Sequence, residues 1–279
     1  MRPAVLRRLA FVAATLLCLL IGAPAWSETQ EVDPINYAFA RYLGSGFYRS
    51  AGRNVWVLTL PWSTELEQPR NGAPGIEFRV ATTLGFYDFA GRDIVEGELP
   101  DQVGTLSVLP GVMAHYPVTE GWTLSPFVDI GIGHNFSGGE LTYIYGMGMR
   151  SDFEFSRGDY DFLLGNRLLF AGNSATDTET AGNFSSLETL LEARLPVAVS
   201  LGESQVDFSV YAANFLYSDL EVLDIANRDN AYDVQWELGF TAGVGEDTKM
   251  LGISVPRFGL GYRYSQGFYA IRLFVGRPF

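Results

Sequence analysis

The sequence predicts an all-β protein, a transmembrane antiparallel up-and-down β-barrel of about twelve strands, within a range of ten to fourteen. Three observations predict it: an export leader, a composition rich in glycine and aromatics with no cysteine after that leader, and alternation of apolar with small or polar residues along about a dozen segments.

The leader is "MRPAVLRRLAFVAATLLCLLIGAPAWSETQ". Arg2, Arg7 and Arg8 precede an apolar stretch from about Leu9 to Gly22, and Ala25 and Ser27 stand at the −3 and −1 positions of a cut before Glu28. That is the layout of a cleaved secretory signal peptide over 1–27, and the apolar stretch is short for a bilayer span. Cys18, the chain's one cysteine, leaves with the leader, so residues 28–279 carry no disulfide or thiol chemistry.

The chain has 31 glycines, 20 phenylalanines and 14 tyrosines. Of its 19 basic residues, three belong to the leader, which leaves 16 against 32 acids, a net charge of −16 beyond residue 27. That balance disfavours nucleic acid and anionic lipid surfaces, both of which call for basic residues. No run of 18 apolar residues follows the leader, so a membrane would be crossed by strands.

The elements follow in order. Weaker segments at 38–49 and 53–62 open the barrel. In "GIEFRVATTLGFYDF", Ile76, Phe78, Val80, Leu84 and Phe86 oppose Glu77, Arg79, Ala81, Thr83 and Gly85. A segment at 104–115 follows. In "TLSPFVDIGIGH", Leu124, Val128, Ile130 and Ile132 oppose Ser125, Asp129, Gly131 and Gly133. "LTYIYGMGMR" alternates in the same way, and segments at 160–172, 184–195 and 206–217 come next. In "YDVQWELGFTAGVG", Val234, Trp236, Leu238 and Phe240 oppose Gln235, Glu237, Gly239 and Thr241. "RFGLGYRYS" and the closing "GFYAIRLFVGRPF" complete the set. Twelve strands over 252 residues average 21 per strand and connection, and an even count brings both termini to one side.

A soluble barrel or sandwich would alternate too, with its apolar face inward. The second face decides for the membrane: it carries glycines and charges, too polar for a packed core and too regular for loops. Glu77, Arg79, Asp129, Arg150, Arg167, Glu188, Glu192, Arg194, Glu237, Arg257, Arg263 and Arg272 are therefore expected to line the lumen, paired into a network that plugs and rigidifies it. An open network would instead tune ion passage. Trp56, Trp62, Tyr116, Trp122, Tyr143 and Tyr217 are expected at the interfacial girdles. The longer connections, 87–103, 172–183 and 217–232, are acidic and fall outside the cell. "DLEVLDIANRDN" lacks the glycine and final glutamate of a calcium loop.

The last strand places Ile271, Leu273 and Val275 on one face and finishes on Phe279. An alternating strand with a terminal aromatic is a signal for the barrel-assembly machinery; Arg277 stands where an apolar or aromatic residue is usual. Outer-membrane lipid and lipopolysaccharide are the remaining expected partners, with an envelope protein as a further one, in a Gram-negative cell.

The segments "INYAFARYLGSGFYRSAGRNVWVLTLPW", "TLGFYDF", "VGTLSVLPGVMAHYPVTEGWTLSPFVDIGIG", "YIYGMGMRS", "LGNRLLFAGN" and "PRFGLGYRYS" resemble a proteobacterial family of solitary autotransporter-like β-barrels. The resemblance implies an outer-membrane barrel similar to the autotransporter translocator, of twelve strands. It implies no activity. The sequence departs from an autotransporter in having no passenger-sized segment before Ile35.

Chemistry on this chain would rest on its two histidines. His134, in "GIGHNFSGGE", has Ser137 three residues on and Asp129 five before, the residue types of a base, a nucleophile and an orienting acid. This is the basis of an alternative reading as a hydrolase of lipid A or phospholipid. Against it, a continuing strand turns His134 to lipid and Asp129 to the lumen, leaving His134 as an interfacial residue. His115 reads as a polar strand-end residue. No metal site or cofactor is expected, and "GIGHNFSGG" lacks the lysine of a phosphate loop.

Overall fold

The computed structural model describes residues 41–50, 53–70, 73–87, 104–136, 139, 141–175, 181–201, 204–218, 232–244, 249–250, 253–254, 257–265 and 268–276. The strands are β1 (Gly46–Ser50), β2 (Arg53–Glu67), β3 (Gly75–Tyr87), β4 (Thr105–Thr119), β5 (Trp122–Asn135), β6 (Leu141–Arg157), β7 (Tyr160–Ala175), β8 (Ala181–Leu201), β9 (Ser204–Ser218), β10 (Tyr232–Val244), β11 (Lys249–Met250), β12 (Ile253–Ser254), β13 (Arg257–Ser265) and β14 (Phe268–Val275).

Twelve of them close a barrel in chain order, each antiparallel to the next, with β1 sealed against β14 through Gly46↔Arg272 to Ser50↔Phe268. The short pair β11–β12 lies outside the wall, between β10 and β13. The expected fold class and strand number are those of the structure. No helix among the described residues is long and apolar enough to cross a membrane.

Parity along each strand sets the faces. On β5, Asp129 is 2% exposed while its neighbour Ile130 is 65% exposed. The same alternation runs β4 as buried Ser107, Leu109 and Met113 against exposed Val108, Val112 and Tyr116. Leu168, Leu187, Leu191, Val210, Leu238 and Leu273 continue an apolar exterior around the wall. So large an exposed apolar surface has the layout of a lipid-facing belt. An inside-out soluble barrel, with its apolar faces turned inward, is therefore not what the chain builds.

Aromatics gather at both rims of this belt. Phe47, Trp56 and Phe86 stack near one rim, with centroids 5.6 and 5.1 Å apart. Trp62 meets Phe78, and Phe155 stacks on Phe153 and Phe162, near the other. Trp122 Nε1 donates to Ser151 Oγ at 2.9 Å, the tethered amphipathic ring that an interface favours. Tyr217 departs from the expected girdle: it is 2% exposed and points into the lumen, because its position on β9 has the inward parity of Tyr211 and Phe215.

The largest difference between expectation and fold is at the start. A strand was expected over 38–49, but residues 41–43 are helical and β1 begins only at Gly46. Gly44 takes φ +85°, a conformation nearly reserved for glycine, and swings the chain off the wall into the lumen. Ser45 secures the corner: its carbonyl accepts Leu273 N–H at 3.0 Å, and its hydroxyl bonds both Thr59 N–H and Thr59 C=O. The connection expected over 172–183 is also shorter, since β7 runs to Ala175 and β8 starts at Ala181.

Candidate functional site

Apolar side chains pack within the lumen among the described residues. Phe184, Phe215, Leu109, Ile144, Leu169 and Leu190 are at most 1% exposed within it, interleaved with buried charges. Those charges fall into four groups.

The first centres on Glu237, directly across from Arg263 in the β10–β13 register. Its carboxylate accepts from Arg263 Nε at 2.7 Å, from Arg272 Nη1 at 2.8 and 3.0 Å, and from Tyr211 OH at 2.6 Å. Arg263 lays its guanidinium on the Phe215 ring at 3.5 Å and donates to Tyr217 OH at 3.2 Å. One carboxylate thus holds two guanidiniums, with aromatic groups around the cluster.

The second centres on Asp129. Arg79 meets it with two parallel bonds, Nε–Oδ1 at 2.9 Å and Nη2–Oδ2 at 2.8 Å. Arg79 and Asp129 lie on β3 and β5, two strands apart, with Gly111 of β4 between them in register. A Cβ at Gly111 would sit on Asp129 Oδ1 and on the Val128 carbonyl, so the pair closes only over a glycine. Tyr42, from the turn that enters the lumen, donates to Asp129 Oδ2 at 2.8 Å. Its phenol rests against Gly146, where a Cβ would overlap it.

The third group repeats that device. Arg257 of β13 reaches Asp207 of β9 across Gly243 of β10. Its Nη1 also serves Glu192 at 3.1 Å, Ser209 at 2.6 Å and Thr241 at 2.7 Å. The fourth pairs Arg167 with Glu188 at 2.6 Å, strand neighbours in register, with Ser186 Oγ donating to the same carboxylate. Arg150 turns to Asp152 on its own strand at 2.8 Å.

Two members of the anticipated network are partnered differently from the buried groups. Arg194 is 53% exposed at the rim and 3.9 Å from Asp207, so it is a vestibule residue. Glu77 pairs with a histidine: His115 Nε2 is 3.0 Å from Glu77 Oε2, and His115 Nδ1 is 3.0 Å from Ser125 Oγ. With its proton on Nε2 toward Glu77, the ring accepts the Ser125 hydroxyl at Nδ1, the connectivity of a nucleophile, base and orienting acid. Ser125 itself is only 2% exposed. Parity could have found this chain, because residues 77, 115 and 125 share the inward face of three successive strands.

The anticipated His134 constellation does not assemble. His134 faces outward and packs edge-on against Phe136 at 5.0 Å, while Asp129 on the opposite face is held by Arg79 and Tyr42. Odd strand spacing forces that separation. Ser137 and Phe279 lie outside the described residues, as do the acidic connections 88–103 and 219–231.

At the rim where β14 ends, a cavity of about 300 Å³ is bordered by Glu120, Glu154, Asp161, Glu192, Arg194 and Arg257. Among the described residues no group of three His, Cys, Asp or Glu side chains is placed to hold a metal.

No family model and no curated protein matches the chain. Among solved structures, the beta domain of the Bordetella autotransporter BrkA is similar over 82% of this chain and 94% of its own, with TM-score 0.48 and 10% identity. LpxR from Salmonella typhimurium is similar over 78% of this chain and 87% of its own, with TM-score 0.44 and 12% identity. Likenesses this distant carry no argument about activity. The twelve-stranded, outward-apolar barrel is established by the chain's own register and faces.

Proposed function

We propose that the protein is an outer-membrane β-barrel whose lumen is closed, a structural and docking element of a Gram-negative envelope rather than a diffusion pore. The observation that carries this reading is the Glu237–Arg263 pair inside the barrel, where both residues are 0% exposed. Solvent of water size does not reach a group so buried, and ion passage needs a continuous wet path. The turn at 41–45 and its Tyr42–Asp129 bond close the lumen further.

The route to the membrane completes the proposal. Residues 1–27 act as the cleaved export leader. Ile271, Leu273 and Val275, with Phe279, form the strand that the assembly machinery reads. Lipid and lipopolysaccharide contact the apolar belt, and the acidic outer connections are the surface offered to an envelope partner. The chemistry needs no cofactor.

The test is conductance of the purified full-length protein in a planar lipid bilayer. The expected result is no large, steady opening; a stable channel would overturn the closed lumen. A second reading as a lipid hydrolase is favoured by one observation, the Ser125–His115–Glu77 chain. Labelling with a serine-reactive fluorophosphonate, lost in Ser125→Ala, would support it, and an unlabelled Ser125 would count against it.

A further inference from the structure

A small cavity of about 40 Å³ lies beside the inserted turn, walled by Arg41, Arg79, Arg150 and Arg167 together with Tyr42 and Phe127. Four guanidiniums around one cavity repel one another. Three of them have carboxylates: Arg79 has Asp129, Arg150 has Asp152 and Arg167 has Glu188. The fourth does not. Among the described residues Arg41 makes no ion pair, and its Nε is buried without a hydrogen-bond partner. Its ordered contact is with the Tyr42 ring, 5.4 Å away. The groups that act on it electrostatically are Tyr42, then Asp129, already engaged by Arg79 and Tyr42, and the cations Arg79 and Arg167.

Among the described residues one positive charge is therefore left over around this cavity, and buried charge is costly unless it is compensated. Aromatic rings take the faces of Arg79, over Phe127 at 4.5 Å, and of Arg41, which leaves guanidinium edges for an acceptor. The volume is on the order of three times what one water requires, and too small for a sugar or a lipid headgroup. We infer that this cavity binds one monovalent anion of halide size, chloride in the cell, which ties the inserted turn through Arg41 to Arg79, Arg150 and Arg167 of the wall. This rests on the closed-lumen reading, because an open channel would only pass such an ion.

The test uses the full-length protein in detergent, with chloride exchanged for gluconate at constant ionic strength. Chloride should raise the thermal midpoint saturably by roughly 3 °C, since a ligand of the folded state alone stabilises it. Arg41→Met keeps the side chain's apolar stem and should abolish the increment. Crystals of the unaltered protein grown in bromide should show an anomalous peak in the cavity, a readout that does not depend on any variant folding. An empty cavity in bromide, or an undiminished chloride increment in Arg41→Met, overturns the site. Conductance of the same preparation separates the two proposals: a non-conducting barrel indifferent to chloride would leave the closed lumen standing and remove the anion.

Discussion

Glu237 shows what a single residue does in this lumen. It is 0% exposed and its carboxylate neutralises one of the two guanidiniums it holds while hydrogen-bonding both. Glu237→Gln keeps the shape and removes the charge, leaving Arg263 and Arg272 buried side by side. Losing one partner of a buried pair costs roughly 3–5 kcal/mol. The variant should unfold at correspondingly lower urea when titrated in detergent. Glycines matter as much as the charges. In Gly111→Ala the new methyl lands on Asp129 Oδ1, so Arg79 and Asp129 must part or β4 must shift. Overpacking of this kind costs about 1–3 kcal/mol, and the same titration would read it. The inward parity of the charges was legible in the sequence. Their partners were not. Nothing in the order of residues shows that Arg79 and Asp129 reach each other over Gly111, or Arg257 and Asp207 over Gly243, because the meeting depends on strand register. The Ser125–His115–Glu77 chain is hidden for a different reason: its members come from three strands and are far apart in sequence, whereas Asp129, near His134 in sequence, lies on the opposite face of the strand.

At the scale of elements, period two located the wall but not its first corner. The stretch Tyr37–Leu43 is apolar enough for a strand, and alternation alone cannot tell a strand from a turn of helix when the run is short. The discriminating signals were Gly44 and Gly46, which permit a left-handed residue and a close approach to the β14 backbone. Tyr48 also pins the corner, donating to the carbonyls of Leu43 and Gly44 at 3.0 and 2.8 Å. Cutting β1 short frees Tyr42 to fill the lumen, and Gly146 of β6 makes room for it. Gly146→Val should therefore expel the turn while leaving the other strands paired. Losing about 1.4 kcal/mol of seating raises the open population about tenfold. Trypsin should then cut after Arg41 about tenfold faster in the variant than in the parent. Equal cleavage would mean that Tyr42 does not depend on the Gly146 notch.

At the scale of the whole molecule, the same alternating sequence could have made a soluble barrel turned the other way, and the structure decides this by which face is filled. Charges such as Arg263 and Glu237 are sealed inside, while Ile130 and Leu168 stand 65% and 59% exposed on the outer surface. In water, replacing so exposed a residue by arginine would change stability by no more than about 0.5 kcal/mol. In a bilayer the same change places a charge against hydrocarbon, and near the midplane of a transmembrane barrel this costs about 2–4 kcal/mol. Ile130→Arg and Leu168→Arg should thus lower the urea midpoint of the barrel folded in phosphatidylcholine vesicles by several times what Tyr143→Arg does nearer a rim, since that cost falls toward the interfaces. The three positions lie on adjacent strands, share the outward parity and receive the same new side chain, so depth is the main variable. A penalty that peaks at Ile130 and Leu168 and fades at Tyr143 is a property of membrane solvent, not of packing. A flat, small penalty at all three positions would mean that the exterior belt is covered by something other than lipid.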